Sequence, residues 1–366
     1  MRCTQGLIGL AVVLLAVLAA VVVLGLTSSA ALAEVRYTVT GLGTLGGSFS
    51  GAFGINDAGQ VVGWADTASG AEHAFIYTPG SGITDLGNLG GGYSYANGIN
   101  DAGQVVGRSY TPGGYEHAFL FTPGSGMTDL GTFGGGTSEA YSINNLGQVV
   151  GYADTATVGY DHAFLYTPGS GLTDLGTLGG AKSWASCINN AGQIVGGAQK
   201  ASGDRRAFLY KPGSGMMDLG TLGGPEGWAN GINDAGQVVG SSGSHAFLYT
   251  PGSGMTDLGT LGGASSRAYG INDLGQVVGS AYTGSKYLPC LYSGGAVKDL
   301  NSLIDPASGW TLSEAMSIND GGQIAGYGLN PSGQWEAFLL TPIPEPATLA
   351  LLAAGAAAPA ARRRRA

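Results

Sequence analysis

Gly54-Ile55-Asn56-Asp57-Ala58-Gly59-Gln60 is the stretch on which the fold turns, because close copies of it begin at Gly98, Ser142, Cys187, Gly231, Gly270 and Ser317. The isoleucines of the seven copies, Ile55, Ile99, Ile143, Ile188, Ile232, Ile271 and Ile318, are separated by 44, 44, 45, 44, 39 and 47 residues. A period near 44 with several short apolar runs per unit reads as a propeller or a related array. Each unit supplies four strand candidates: the run ending in Gly-Ile-Asn, the Gln-Val-Val-Gly run, a run such as His73-Ala74-Phe75-Ile76-Tyr77, and a run such as Ile83-Thr84-Asp85-Leu86-Gly87. The turns between them have a mechanism. In Asn56-Asp57-Ala58-Gly59 the asparagine starts a type I turn and glycine takes the left-handed position of a tight hairpin. In Thr78-Pro79-Gly80-Ser81-Gly82 proline fixes φ and glycine permits a positive one.

The ends of the array decide how it closes. The seventh copy stops after Ala337-Phe338-Leu339-Leu340-Thr341 and has no fourth strand of its own. A matching segment stands at the other end: Val39-Thr40-Gly41-Leu42-Gly43, followed by Thr44-Leu45-Gly46-Gly47, aligns with Ile83 to Gly87 and the Asn88-Leu89-Gly90-Gly91 after it. The N-terminal strand is therefore expected to complete the last unit, which closes a ring and buries edges that would otherwise template aggregation. The expected fold is all-β, a seven-bladed β-propeller of four-stranded blades closed by the N-terminal strand, with a two-sheet or solenoid array as the alternative.

Composition agrees with a body of strands and tight turns: 69 of 366 residues are glycine and only 11% are charged. Outside the repeats, Arg2 is followed by an apolar run from Leu7 to Leu26 and then Ala31-Leu32-Ala33, so residues 1–33 read as a signal peptide, helical in its apolar part. Cleavage is expected between Ala33 and Glu34, with Ala31 and Ala33 as the small-residue signature. The run is 20 residues, long enough for a retained membrane anchor as the alternative. The repeat domain is expected over 34–342 and a tail over 343–366. Arg2 and Arg362 to Arg365 lie in the termini and Glu345 in the tail. Of 15 basic and 24 acidic residues, segment 34–343 therefore keeps 10 and 23, a net charge of −13. Such a surface repels phosphates, which argues against nucleic acid as a partner. Only Cys187 and Cys290 belong to the mature chain, in non-adjacent repeats, so no disulfide framework is expected.

The tail reads Pro344-Glu345-Pro346, an Ala/Leu-rich stretch from Ala347 to Ala361, then Arg362, Arg363, Arg364 and Arg365. Proline bounds an exposed spacer, the apolar stretch forms a helix in the membrane, and the arginines act as a stop-transfer signal on the cytoplasmic side. In this order and at this place the tail resembles the PEP-CTERM sorting signal. The resemblance implies recognition by an exosortase, with Pro344, Glu345 and Pro346 marking the processed region and the membrane engaged before processing. It also implies a Gram-negative bacterium that makes extracellular polysaccharide, and a destination at the envelope surface or outside the cell. One departure is the apolar stretch of only 15 residues, which at about 1.5 Å per residue is short for a bilayer.

The repeats resemble the HAF family of bacterial extracellular repeats through His73-Ala74-Phe75, His117-Ala118-Phe119, His162-Ala163-Phe164 and His245-Ala246-Phe247, over roughly residues 36–341. Copies four, six and seven depart, with Arg206-Ala207-Phe208, Leu288-Pro289-Cys290 and Glu336-Ala337-Phe338. The resemblance implies a surface location and no particular activity.

Chemistry is weighed against this architecture. Histidines at one repeat position suggest a metal ring, but equivalent positions on neighbouring blades lie too far apart to share one ion. A histidine at a strand start that packs on or bonds to its neighbour is the preferred reading. The turn aspartates, such as Asp57 and Asp101, and the fourth-strand aspartates, such as Asp85 and Asp129, recur too regularly for a catalytic pair; the turn aspartates are expected to bond their own backbone two residues on. No cofactor is expected; calcium in the Asn-Asp turns is the alternative, although one turn supplies few oxygens. No catalytic residue and no metal ligand is assigned, because no nucleophile elbow, metalloprotease helix or phosphate loop is present.

Variation between copies points to the ligand face. It gathers in the connection between the second and third strands, which carries Trp64, Tyr110, Tyr115, Tyr160, Tyr282, Tyr287 and Trp335. In a propeller this connection shares a rim with the segment entering the next blade, which holds Tyr93, Tyr95, Trp184, Trp228 and Trp310. Flat amphipathic rings beside carboxylates pack sugar faces and bond hydroxyls, so the expected role is binding of exopolysaccharide or of a surface protein, or a structural role in the matrix. The alternatives are that the rings pack between blades, and that the scaffold is a polysaccharide-acting glycosidase or lyase using acidic rim residues.

Overall fold

A computed structural model describes residues 36–344. The expected signal helix, its cleavage residues, Glu345 and Pro346, the apolar tail helix and the stop-transfer arginines fall outside these residues.

Twenty-eight strands form seven sheets of four among the described residues. In the first blade the inner strand Gly46–Ile55, the second Val61–Thr67, the third Glu72–Thr78 and the outer Gly82–Asp85 pair antiparallel in chain order. The last blade borrows its outer strand: Tyr37–Gly41 pairs with Trp335–Pro342, setting Val39 against Leu340 and Gly41 against Phe338. The seven-bladed propeller closed by its N-terminal strand is therefore the observed fold.

The repeat residues show why each blade forms. The third-strand phenylalanine is fully buried in six blades, as in Phe75, Phe164 and Phe338; each stabilises by roughly 1.5–3 kcal/mol through lost water contact. In the sixth blade Cys290 takes this place, and Tyr292, only 4% exposed, is drawn into the same cluster. Burial pushes the Cys290 thiol up to about 12, and both it and Cys187 are unpaired thiols. The glycine of Gln-Val-Val-Gly is a matter of contact rather than turning. A Cβ on Gly63 would lie 1.9 Å from the Gly51 carbonyl oxygen, and one on Gly151 1.9 Å from that of Glu139.

Five of the seven blade junctions carry a serine latch. Ser94 Oγ accepts from Ala74 N of the preceding blade at 2.8 Å and donates to Gly87 O at 2.6 Å. Ser50 does the same for Ala337 N and Gly43 O across the closure. The 47-residue interval before Ile318 holds two short 3-10 turns, Leu300–Ser302 and Pro306–Ser308, which the sequence pattern had not indicated.

Candidate functional site

The alternation of strands gives the ring two faces. The Asn-Asp turns and the Thr-Pro-Gly turns share one, the turn face, where Gln60 Nε2 donates to Thr78 Oγ1 at 3.2 Å. The connections between second and third strands share the other, the loop face, with the segments entering each next blade; there Tyr110 N donates to Tyr93 O at 3.0 Å.

On the turn face Gly59 has φ 73° and donates to Asn56 O, as the hairpin reading requires. The asparagine does more. Asn56 Nδ2 donates to Asn100 O, Asn100 to Asn144 O, and so on through Asn189, Asn233 and Asn272 to Asn319, which donates back to Asn56 O, all at 3.0–3.1 Å. A second ring lies outside it. The turn aspartate Asp57 accepts at Oδ1 from Asp320 N of the preceding blade, at 3.0 Å, and the pattern repeats at every junction within 2.8–3.1 Å. These aspartates were expected to bond their own backbone; they bond the neighbouring blade instead, because closure of the ring brings its N–H within reach. The fourth-strand aspartates do bond two residues on, as Asp85 Oδ1 does with Gly87 N at 2.7 Å.

The same fourth-strand carboxylates receive the histidines. His73 Nδ1 meets Asp85 at 2.9 Å, and His117, His162 and His245 meet Asp129, Asp174 and Asp257 at 2.7, 2.8 and 2.6 Å. In the closing blade Gly41 stands at the aspartate position, and Glu336 at the histidine position supplies the missing carboxylate, accepting from Gly43 N at 2.8 Å. Among the described residues no group of three or more His, Cys, Asp or Glu side chains is disposed to hold a metal ion.

The loop face is less uniform. Every inner strand carries a bulge just before its Gly-Ile-Asn or equivalent, for example between Ala52 and Gly54 and between Ala140 and Ser142. An extra residue in one strand re-aims its side chain. The bulged residues Phe53, Asn97, Tyr141, Ser186, Asn230, Tyr269 and Met316 line an axial vestibule of about 210 Å³. Cys187 also lines it, its thiol raised by burial and bonded by Ser142 Oγ at 3.7 Å. Sequence reasoning missed this ring, although a signal was present: within an otherwise repetitive motif, the residue two before the isoleucine takes five identities in seven copies.

Two residues earlier in the inner strand, Tyr95, Glu139, Trp184, Trp228, Arg267 and Glu314 occupy equivalent registers, each opposite a second-strand residue. They pack the seams between blades. Arg108 lies 4.6 Å over the Tyr95 ring and 2.8 Å from the buried Glu139 carboxylate. Arg205 lies over both Trp184 and Trp228, whose rings are 5.4 Å apart. Burial raises the Glu314 carboxyl, opposed by the Arg267 charge and a Tyr269 hydrogen bond, and its Oε2 is buried without a hydrogen-bond partner.

The rim residues singled out from sequence fall into four places. Trp64 and Trp335 line one cleft of about 370 Å³ with Phe49, Phe53 and Tyr327. Tyr115 and Tyr160 line another, with His117 and Asp154. Tyr110 packs edge-on against Tyr93 at 5.9 Å, and Tyr282 lies tilted against Tyr287 at 5.1 Å. Of the segments entering each blade, Trp310 packs edge-on to the core residue Phe338 at 6.1 Å, and so serves packing.

With the geometry in place, comparison with known proteins adds the following. Residues 342–365 match the PEP-CTERM protein-sorting motif. The chain is thus an exported bacterial protein sorted by an exosortase to the cell envelope or surface, built as a seven-bladed β-propeller. No curated protein sequence matches the chain. Among solved structures, it is similar to the S511A mutant of puromycin hydrolase in complex with PGG, at 16% identity and a TM-score of 0.52, covering 80% of this chain and 52% of that one. It is also similar to TolB from Acinetobacter baumannii, at 12% identity and a TM-score of 0.43, covering 77% and 63%. A third is the BP39L lectin from Burkholderia pseudomallei, at 10% identity and a TM-score of 0.46, covering 83% and 98%. The chain spans about half of the hydrolase and less than two thirds of TolB. At these identities the likeness concerns the fold alone.

Proposed function

We propose that the chain is a surface protein of a Gram-negative bacterium, its body made of HAF-type repeats, that binds the carbohydrate of the extracellular matrix through the loop face. The observation carrying this reading is the division of labour between the faces. Constant turn residues are engaged with one another around the ring, whereas equivalent loop-face positions carry different aromatic and polar side chains, several of them exposed in clefts. Rings that present a flat face with hydrogen-bonding groups at its edge suit pyranose rings.

The test uses the full-length protein in detergent with purified exopolysaccharide of its host. Retention of the protein without shortening of the polymer is the expected outcome. Shortened chains would replace the binding reading with an enzyme acting on the same polymer, and capture of a host surface protein with no glycan affinity would replace it with a protein adhesin. Removing 344–366 should shift the protein from the envelope to the medium. An unchanged distribution would remove the role of the tail.

A further inference from the structure

The carbohydrate reading treats the loop face as one surface, but the seams between its blades are not equivalent. At the inner-strand position that six blades fill with tyrosine, tryptophan, arginine or glutamate, the first blade has Gly51, opposite Trp64. This glycine is not demanded by the backbone. It is absent from the glycines with positive φ, and a Cβ there would meet Trp64 Nε1 at 3.2 Å and Tyr327 Cδ1 at 3.8 Å, against the 1.9 Å overlap that forces Gly63. What the glycine does is leave out a side chain. The space becomes the cleft of about 370 Å³ between the last blade and the first, within the roughly 300–1,000 Å³ range of small-molecule sites. Its walls are Phe49, Phe53, Trp64, Tyr327 and Trp335; Phe49 and Trp335 are 45% and 42% exposed at its mouth. The rings stand at angles to one another rather than stacked shut: Phe53 and Tyr327 are edge-on at 6.4 Å, and Tyr327 and Trp335 tilted at 6.1 Å. Elsewhere the corresponding space is taken, by Tyr95 under Arg108 or by Trp228 beside Trp184 under Arg205.

We infer that this closure seam is a specific saccharide slot, one per chain, and that its occupant is an uncharged pyranose of a polysaccharide. The inference rests on the carbohydrate reading above and narrows it to a site and a ligand class. Charge decides the class. No lysine, arginine or histidine lines the slot, and the repeat body is strongly acidic, so a uronate or sulfated sugar would meet repulsion with no counter-charge. A neutral ring loses little on entering an apolar slot when its hydroxyls stay at the open edge, and Trp64, one of the lining residues, carries an indole N–H donor.

The experiment titrates full-length protein with cellohexaose, mannohexaose and galactan oligomers as neutral probes and an alginate hexamer as the anionic one. Binding is followed by calorimetry and tryptophan fluorescence. Gly51→Tyr fills the slot with the residue the second blade carries, Trp335→Ala removes an exposed wall without disturbing the core, and Leu274→Ala alters an exposed residue of the opposite, turn face. The expected result is one neutral oligomer bound per chain, weakened about tenfold or more by Gly51→Tyr and Trp335→Ala and unchanged by Leu274→Ala. Should Gly51→Tyr misfold, Trp335→Ala alone carries the comparison. Undiminished binding by folded slot variants, several oligomers per chain, or preference for alginate would overturn the slot while leaving carbohydrate binding standing. A wild-type protein that binds none of the four probes or the host polymer would overturn both.

Discussion

The two faces of this ring are made from the same seven repeats and have opposite characters. On the turn face an asparagine at every junction donates to the next blade, and an aspartate or asparagine beside it accepts from the previous one, until both circuits close. Side chains so engaged have little left to offer a ligand. On the loop face no such circuit exists: a bulge turns one residue of each inner strand toward the axis, and that residue ranges from Ser186 to Phe53. Repetition along a sequence thus marks two different things, and the difference is whether a repeated side chain is satisfied by its own neighbour copy.

The comparison can be broken most severely at the closure. Deleting residues 36–43 strips the outer strand from the last blade and exposes the edge of Trp335–Pro342. The thermal midpoint should fall by about 10 °C or more, or the cooperative transition should vanish, as read by circular dichroism. A midpoint within error of wild type would mean that the ring does not depend on its latch.

A smaller break falls on the turn face alone. Asn189 donates to Asn233 O and Gln193 Oε1 and accepts from Gln193 N and Ala191 N, so Asn189→Ala interrupts the ring and leaves buried groups unsatisfied. The expected cost is about 2–3 kcal/mol in urea denaturation, with oligosaccharide binding on the opposite face unchanged. Loss of binding in a folded variant would show the faces to be coupled.

The least effect concerns the loop face and pH. Burial raises the Glu314 carboxyl above its ordinary value of 4.5, so folding favours its protonated form. Its contribution to stability is present below that value and is lost as pH rises through the folded one. Glu314→Gln should match the wild type near pH 4 and exceed it at pH 8, by under about 1 kcal/mol given partial exposure. A variant less stable than wild type at pH 8 would mean that the Arg267 charge outweighs burial.

Much of the architecture was legible in the sequence because it repeats. Seven copies of one turn gave the blade number, and the alignment of Val39 to Gly43 with Ile83 to Gly87 gave the closure. The histidines were read as packing on or bonding to a neighbour, and they bond, to fourth-strand aspartates 12 residues on. The compensation at Glu336 was not legible, since it needs the register that sets Gly41 against Phe338. Nor were the aspartate circuit and the vestibule. Both depend on which blade edges face one another, and a strand pattern of period two does not show where a bulge resets it.

Sequence by itself settled the units, their number, the order of strands within each and the tail that directs the protein to the envelope, because turn chemistry and apolar runs are local properties. Tertiary structure alone decided that Gly51 opens a cleft where Gly63 merely avoids a collision, for both are glycines in similar surroundings along the chain. The distinction lies in what an added Cβ would meet: a carbonyl oxygen at 1.9 Å for the one, and for the other the Trp64 indole at 3.2 Å and, from the last blade, Tyr327 at 3.8 Å. Such distances are set by strand pairing and blade packing, not by position along the chain.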